Sequence, residues 1–441
     1  MLVQKSVYLF CKINTMKKDV FKQLILDSVE KNYTHIENRH TPLKIYENKA
    51  NCIIGVRRCG KTSLMQNTII QLRKKSKPEN AIYINLEDDR LYPLHLKDLN
   101  DFIESYYELY PKNRNHKVYF FIDEIQIVTG WEKFVRRVLD TENCNLIISG
   151  SSAKLLSKEI HTSLRGRSIS REVYPLSFLE YLQFAHIDYA TRSTKNKSFI
   201  KHALEDYLFK GGFPELVSFD ESEARKFLQE YKDLIIFRDL VERYNIREIA
   251  PLRYLINYLY KNRSTLVSIN RLYNDLKSQG ISIGKSTLYD YMAYLQDCYA
   301  IQSVPMYSRS IKDQNRNPQK VYAIDNGFGL TTNITKEYGK NFENTVFLHL
   351  KQLYGVEIFY YKGNQEVDFY LPDKKLLLNV SYDISNPQTY DREIKGLQEA
   401  MTELKLTNAY LITDQVKETI VLKKQTIHIV PLWEWLLEDM K

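Results

Sequence analysis

The stretch Gly55-Val56-Arg57-Arg58-Cys59-Gly60-Lys61-Thr62 decides how this chain reads. It matches GxxxxGK[ST], a glycine-bounded turn whose backbone N–H groups wrap phosphate oxygens while the following helix N-terminus favours their charge. Working outward, Cys52-Ile53-Ile54 before it is strand-like, and Ser63-Leu64-Met65 after it begins a helix. The expected phosphate contacts come from Gly55, Val56, Arg57, Arg58, Cys59, Gly60 and Ser63, with the Lys61 ammonium on the β and γ phosphates. Thr62 is the expected magnesium ligand.

The loop sits in an alternating pattern. Apolar runs at Ala50 to Gly55, Ala81 to Leu86, Val118 to Ile122, Asn145 to Ser149 and Ile169 to Val173 are mostly separated by helix-length segments. Parallel strands need crossover connections, so the pattern predicts an α/β fold with a parallel sheet covered on both faces. The third run ends in Asp123-Glu124. Asp123 would hold magnesium through water, and Glu124 would polarise the attacking water as general base. Loop and acids together point to the P-loop NTPases with an added strand and a catalytic glutamate, the ASCE type. The fourth run ends Ser149-Gly150-Ser151-Ser152, whose hydroxyls, Ser151 foremost, are candidates to sense the γ-phosphate; a capped turn is the alternative. Arg165 and Arg167, just before the fifth run, are candidate arginine fingers, in cis or from a neighbour, or else solvated surface arginines.

Taken together, GVRRCGKTS, FFIDEIQ, IISGSSAKLL, LRGR, VYPLSFLEYL, GGFPE and EVDFYL resemble the bacterial and archaeal AAA-type ATPases of the AAA_14 family that carry a C-terminal DUF4143 domain. The resemblance implies ATP and magnesium, with slow, switch-like hydrolysis. Gly211-Gly212-Phe213-Pro214 also resembles the glycine–proline module of STAND signalling ATPases, which would place Pro214 near the adenine; a helix-breaking turn is the alternative.

Residues 251 to 320 contain ten lysines and arginines against four aspartates, an excess of +6 within a chain whose total is +9. Three short helical patterns and two β-like runs there resemble a winged helix. Its third helix, Gly284 to Gln296, would turn Leu288, Met292 and Leu295 to the core and Lys285, Ser286, Tyr289 and Tyr291 to duplex DNA. Arg309, Lys312 and Arg316 in the loop Tyr307 to Gln319 suit phosphate contacts. The alternative is an internal packing module.

The last hundred residues resemble a restriction-endonuclease-like core. Glu343 and Asp368 stand where carboxylates would hold magnesium, but Asn379-Val380-Ser381 replaces the expected Glu-x-Lys. Asn379 and Ser381 thus mark a degenerate site, in which cleavage is not expected unless Glu366 or Asp383 compensates.

The implied order is an N-terminal extension with an amphipathic helix (1–44), P-loop core (45–185), helical lid (186–250), winged-helix module (251–325) and nuclease-like α/β domain (326–441). Five scattered cysteines without CxxC argue against zinc and for a reduced, cytoplasmic protein. The run Val7 to Ile13, interrupted by Lys12, is short of the roughly 20 residues of a spanning helix, so no membrane partner is expected. Met16 is the expected true start. The functional expectation is a regulatory ATPase that uses ATP and Mg2+ to switch its C-terminal domains on duplex DNA, a protein partner or a second copy of itself. The alternatives are an ATP-gated nuclease and a non-hydrolysing DNA-binding regulator.

Overall fold

The structure is a computed structural model that describes residues 17–438 except 34–35, 38, 41, 152–161, 163, 191–192 and 333–334. Met16, Ser152 and the segment before Met16 lie outside the described residues. The chain forms two compact units that divide between Val173 and Tyr174.

The first unit is built on β1 (Ala50–Ile54), β2 (Ala81–Asn85), β3 (Val118–Asp123), β4 (Cys144–Gly150) and β5 (Ser168–Glu172). All pair in parallel, in the order β2-β3-β4-β1-β5. Every residue of β1 and β4 is buried, so these strands read as continuous apolar runs and not as an alternation. The order puts β4 between the loop strand β1 and the acid strand β3. The ends of all three therefore share one edge of the sheet, where ligands of open α/β sheets bind. After a first helix over 17–30 (α1), helices α2 (Lys61–Arg73), α3 (Asp98–Leu109) and α4 (Trp131–Thr141) make the crossovers. The helix over 17–30 belongs to the same core: its Phe21 and Ile25 are fully buried, and Phe21 meets Phe102, which meets Phe120 edge-on at 5.3 Å.

The second unit opens on the helix Phe178–Phe184, whose Ser177 and Glu180 form a reciprocal capping box. Helices Thr194–Lys210, Glu221–Leu234 and Ile249–Lys261 follow, with a π-helical stretch at Ile235–Glu242. The Gly211-Gly212 break has a packing cause. Gly211 adopts φ +92°, and a Cβ there would lie 1.7 Å from a carboxylate oxygen of Asp325. The buried Asp325 instead accepts hydrogen bonds from the Gly212 and Gly327 N–H groups, at 2.7 and 2.8 Å. Pro214 opens the short turn Pro214–Ser218.

Next come β6 (Thr265–Val267), helices Ile269–Ser278 and Lys285–Asp297, β7 (Ile301–Val304), the helix Ile311–Arg316 and β8 (Gln319–Ala323). The three strands form an antiparallel sheet with β8 in the centre. After helix Tyr338–Tyr354, the strands β9 (Phe359–Lys362), β10 (Glu366–Leu371), β11 (Leu376–Val380), β12 (Asn408–Thr413), β13 (Glu418–Leu422) and β14 (Gln425–Pro431) make a mixed sheet in the order β13-β14-β12-β11-β10-β9. Helix Pro387–Leu404 supplies Leu397, Ala400 and Met401 to the core against β11 and β12. The patterns read in the sequence do not include β6, β13, the helix Ile311–Arg316 or the closing helix Leu432–Leu437. Strand β13 is an edge strand with half-exposed and exposed residues whose apolar run is only Ile420-Val421-Leu422, and the helix Ile311–Arg316 is polar except for Ile311.

Candidate functional site

The phosphate loop follows β1 because Gly55 allows it. A Cβ at Gly55 would lie 2.1 Å from the Val173 carbonyl oxygen, so no larger residue fits between β1 and the end of β5. Gly60, at φ +96°, turns the chain into α2, whose N-terminus has no side-chain cap. Its first N–H groups are therefore suited to an anion. Lys61, 5 % exposed, folds back so that Nζ donates to the Gly55 and Val56 carbonyls at 2.9 and 3.0 Å. Val56 and Cys59 are buried, whereas Arg58 and Ser63 face solvent and Arg57 reaches Glu87 at 3.4 Å. Arg39 donates to the Cys59 carbonyl at 3.1 Å, bracing the loop from outside.

Asp123 is the hub of the site. One carboxylate oxygen accepts from Thr62 Oγ1 and from Tyr83 OH, both at 2.7 Å, and the other accepts from Ser149 Oγ. Ser149 Oγ in turn accepts the Glu124 N–H at 3.2 Å, and Glu124 sits at φ +56°. The Glu124 carboxylate accepts from Gln126 Nε2. Burial raises its pKa above the ordinary carboxylate value, opposed by the nearby Lys61 charge and the Gln126 hydrogen bond. The serine in this network is Ser149; Ser151 is buried just past the end of β4. Tyr83 was not anticipated, since a tyrosine within a short strand carries no signal until the register puts β2 beside β3. Burial, then Asp123, keeps its phenol protonated.

The arginines lie elsewhere. β5 begins at Ser168 beside Ala50, whereas the loop follows Ile54, so the Arg165–Arg167 turn is about 13 Å of strand away from it. Arg167 pairs with Asp140 at the surface, and Arg165 is exposed. The expectation of an arginine finger acting within one chain is corrected: neither arginine stands at the nucleotide edge of its own sheet.

In the second unit the expected nuclease residues do meet, around a lysine that was not anticipated. Lys320 of β8, 3 % exposed, places Nζ at 2.6 Å from Asp368, 2.8 Å from Glu366 and 3.1 Å from Glu343. Tyr322 OH donates to Glu343 at 2.8 Å. Burial works against the Lys320 charge, but Asp368, Glu343 and Glu366 outweigh it and hold the ammonium well above its ordinary range. Burial and Asp368 push Glu343 up to about 8, with Lys320 opposing. Asn379 accepts the Asp368 N–H at 3.0 Å and donates its amide to Glu393. Ser381 donates to the Asp383 carbonyl at 3.3 Å and so serves its own turn.

Of the residues expected to face duplex DNA, Lys285, Ser286, Tyr289, Arg309, Lys312 and Arg316 are exposed. Tyr291 is a correction: it is buried, and its OH donates to the Glu248 carbonyl at 3.3 Å. The +6 excess is also diluted at the surface, because Arg263 and Lys320 are buried and face acids from beyond residue 320.

Residues 47–182 match the model of the AAA domain family AAA_14. An uncharacterized protein of Methanocaldococcus jannaschii, MJ1544, is 38% identical over 435 residues, covering 96% of each chain. The chain is an AAA-domain protein of the MJ1544 family. An uncharacterized Haemophilus influenzae protein shares 28% identity over 88% of this AAA protein and 94% of its own length. Among solved structures, the Walker-type ATPase PABY2304 of Pyrococcus abyssi aligns with a TM-score of 0.41 at 16% identity, covering 71% of this chain and 95% of that one. The C-terminal expectation is corrected. Residues 201–337 match a domain of unknown function, DUF8612, and not the DUF4143 domain that the sequence resemblance implied. Among the described residues no helix is long and apolar enough to cross a membrane.

Proposed function

We propose that this AAA protein binds ATP with Mg2+ at the β1–β3–β4 edge and hydrolyses it slowly as a switch acting on its second unit. The observation that carries the reading is the hydrogen-bonded set Thr62, Asp123, Ser149 and Glu124, built from three strand ends around an uncapped helix N-terminus. Thr62 Oγ1 and the Asp123 carboxylate are hard oxygen donors and fit a magnesium ion, which would neutralise phosphate charge. Lys61 exchanges its two loop carbonyls for phosphate oxygens, an ion–dipole contact for an ion pair. Glu124, held by its N–H on Ser149 and its carboxylate on Gln126, takes the proton of the attacking water. Self-association is part of the proposal, with Arg165 or Arg167 offered as a finger to the nucleotide of a neighbouring chain.

Duplex DNA is the proposed partner of the second unit. The order helix, strand, helix, helix, strand, short helix, strand and the central β8 support a winged-helix reading of residues 251–325, with the helix Ile311–Arg316 in the place of an open wing loop. Tyr289 of the helix Lys285–Asp297 and Arg316 at the end of the helix Ile311–Arg316 line one cleft of about 280 Å³. Nuclease activity is not proposed, because Asn379 and Lys320 occupy the positions that a metal-dependent site would need.

The test measures nucleotide binding and phosphate release with and without duplex DNA. Lys61→Ala should weaken ATP binding about 100-fold, and Glu124→Gln should bind ATP yet turn over about 10²–10⁴ times more slowly. Neutralising Arg309, Lys312 and Arg316 together should remove any DNA effect and flatten its salt dependence. Full turnover by Lys61→Ala would refute the site.

A further inference from the structure

Metal-assisted phosphodiester chemistry needs carboxylates that share a cation. In this chain Glu343 comes from a helix, Glu366 and Asp368 from β10, and all three converge on a point that another element already fills. That element is β8, the central strand of the other sheet in the unit. We propose that the Lys320 ammonium is the permanent cation of this carboxylate site, standing where a divalent ion would have to stand.

The geometry argues for replacement and not for coexistence. Nζ lies 2.6 to 3.1 Å from one oxygen of each acid. An ion bonded to the same Asp368 and Glu343 oxygens at about 2.0–2.6 Å would fall within the space of the ammonium and repel it. The surrounding donors are arranged for the lysine. Asp368 gives one oxygen to Lys320 and the other to the Val380 N–H at 2.9 Å, so both are engaged. Asn379, at the position of the expected glutamate, is the side chain that can accept from the Asp368 N–H and donate to Glu393 at once. A glutamate there would set a second buried carboxylate against Glu393 with no donor between them. The consequence is structural: one ammonium ties the three-stranded sheet to the six-stranded sheet, and a nuclease-like arrangement becomes a clamp that needs no metal.

The proposal stands on ion-pair geometry and is independent of the ATPase reading. It is tested by Mn2+ binding, read by electron paramagnetic resonance, on the nucleotide-free full chain. Wild type and Asp368→Asn should bind Mn2+ alike, whereas Lys320→Ala should gain about one Mn2+ per chain and a Mn2+-dependent rise in melting temperature. Both gains should vanish in Lys320→Ala/Asp368→Asn. Mn2+ held by wild type and lost in Asp368→Asn would overturn the proposal, as would a folded Lys320→Ala that gains none. Should Lys320→Ala fail to fold with or without Mn2+, Lys320→Met/Glu343→Gln/Asp368→Asn decides: a folded chain supports charge compensation as the role of Lys320, and an unfolded one overturns it.

Discussion

The two units each bury a lysine among oxygens, and the oxygens differ. Lys61 rests on two neutral backbone carbonyls, which release it at the cost of two hydrogen bonds to uncharged acceptors. Lys320 rests on three carboxylates, of which Glu343 and Asp368 are shielded from water and Glu366 is at the solvent edge. Removing one partner from such a buried set costs several kcal/mol, because the remaining charges lose their compensation. A lysine held by carbonyls is available to a phosphate, and a lysine held by carboxylates is part of the framework. The same residue type thus serves ligand exchange in one unit and permanence in the other.

Exchanging the readouts of the two lysines breaks this contrast most directly. Lys320→Met should destabilise the second unit by about 3–5 kcal/mol in denaturant unfolding while leaving ATP affinity intact. Lys61→Ala should do the reverse, losing ATP affinity with stability changed by about 1 kcal/mol or less. If both substitutions moved both quantities equally, the contrast would be wrong. The smallest expected effect concerns Glu124. Its raised pKa means that the base is protonated, and turnover lost, as pH falls through a value above the ordinary carboxylate range. Gln126→Ala removes a hydrogen bond to the charged form and should shift that acid limb further upward. An acid limb that stays at the ordinary carboxylate position in both proteins would show that Glu124 is not the base.

Legibility in the sequence followed locality. The loop, its helix and the five apolar runs were visible because each is a contiguous segment with its own spacing. Ser149 and Tyr83 were harder, since what brings them to Asp123 is the parallel register of β2, β3 and β4. The Gly211-Gly212-Phe213-Pro214 motif looked like a nucleotide module or a helix break; its glycines answer to Asp325, 113 residues away from Gly212. Helical spacing points Tyr291 outward, yet its ring is buried and its OH reaches the Glu248 carbonyl.

What the sequence determined by itself is the phosphate loop and the strand that ends in Asp123 and Glu124. Backbone N–H groups, a glycine turn and a helix start are made by neighbours in the chain, so their chemistry is written where it is used. Only the tertiary structure decided the fate of the nuclease-like carboxylates. Lys320 precedes Glu343 by 23 residues and Asp368 by 48, and it reads as one more base in a basic stretch. Its charge acts through space, in a site defined by the meeting of two sheets, and no local spacing encodes that meeting.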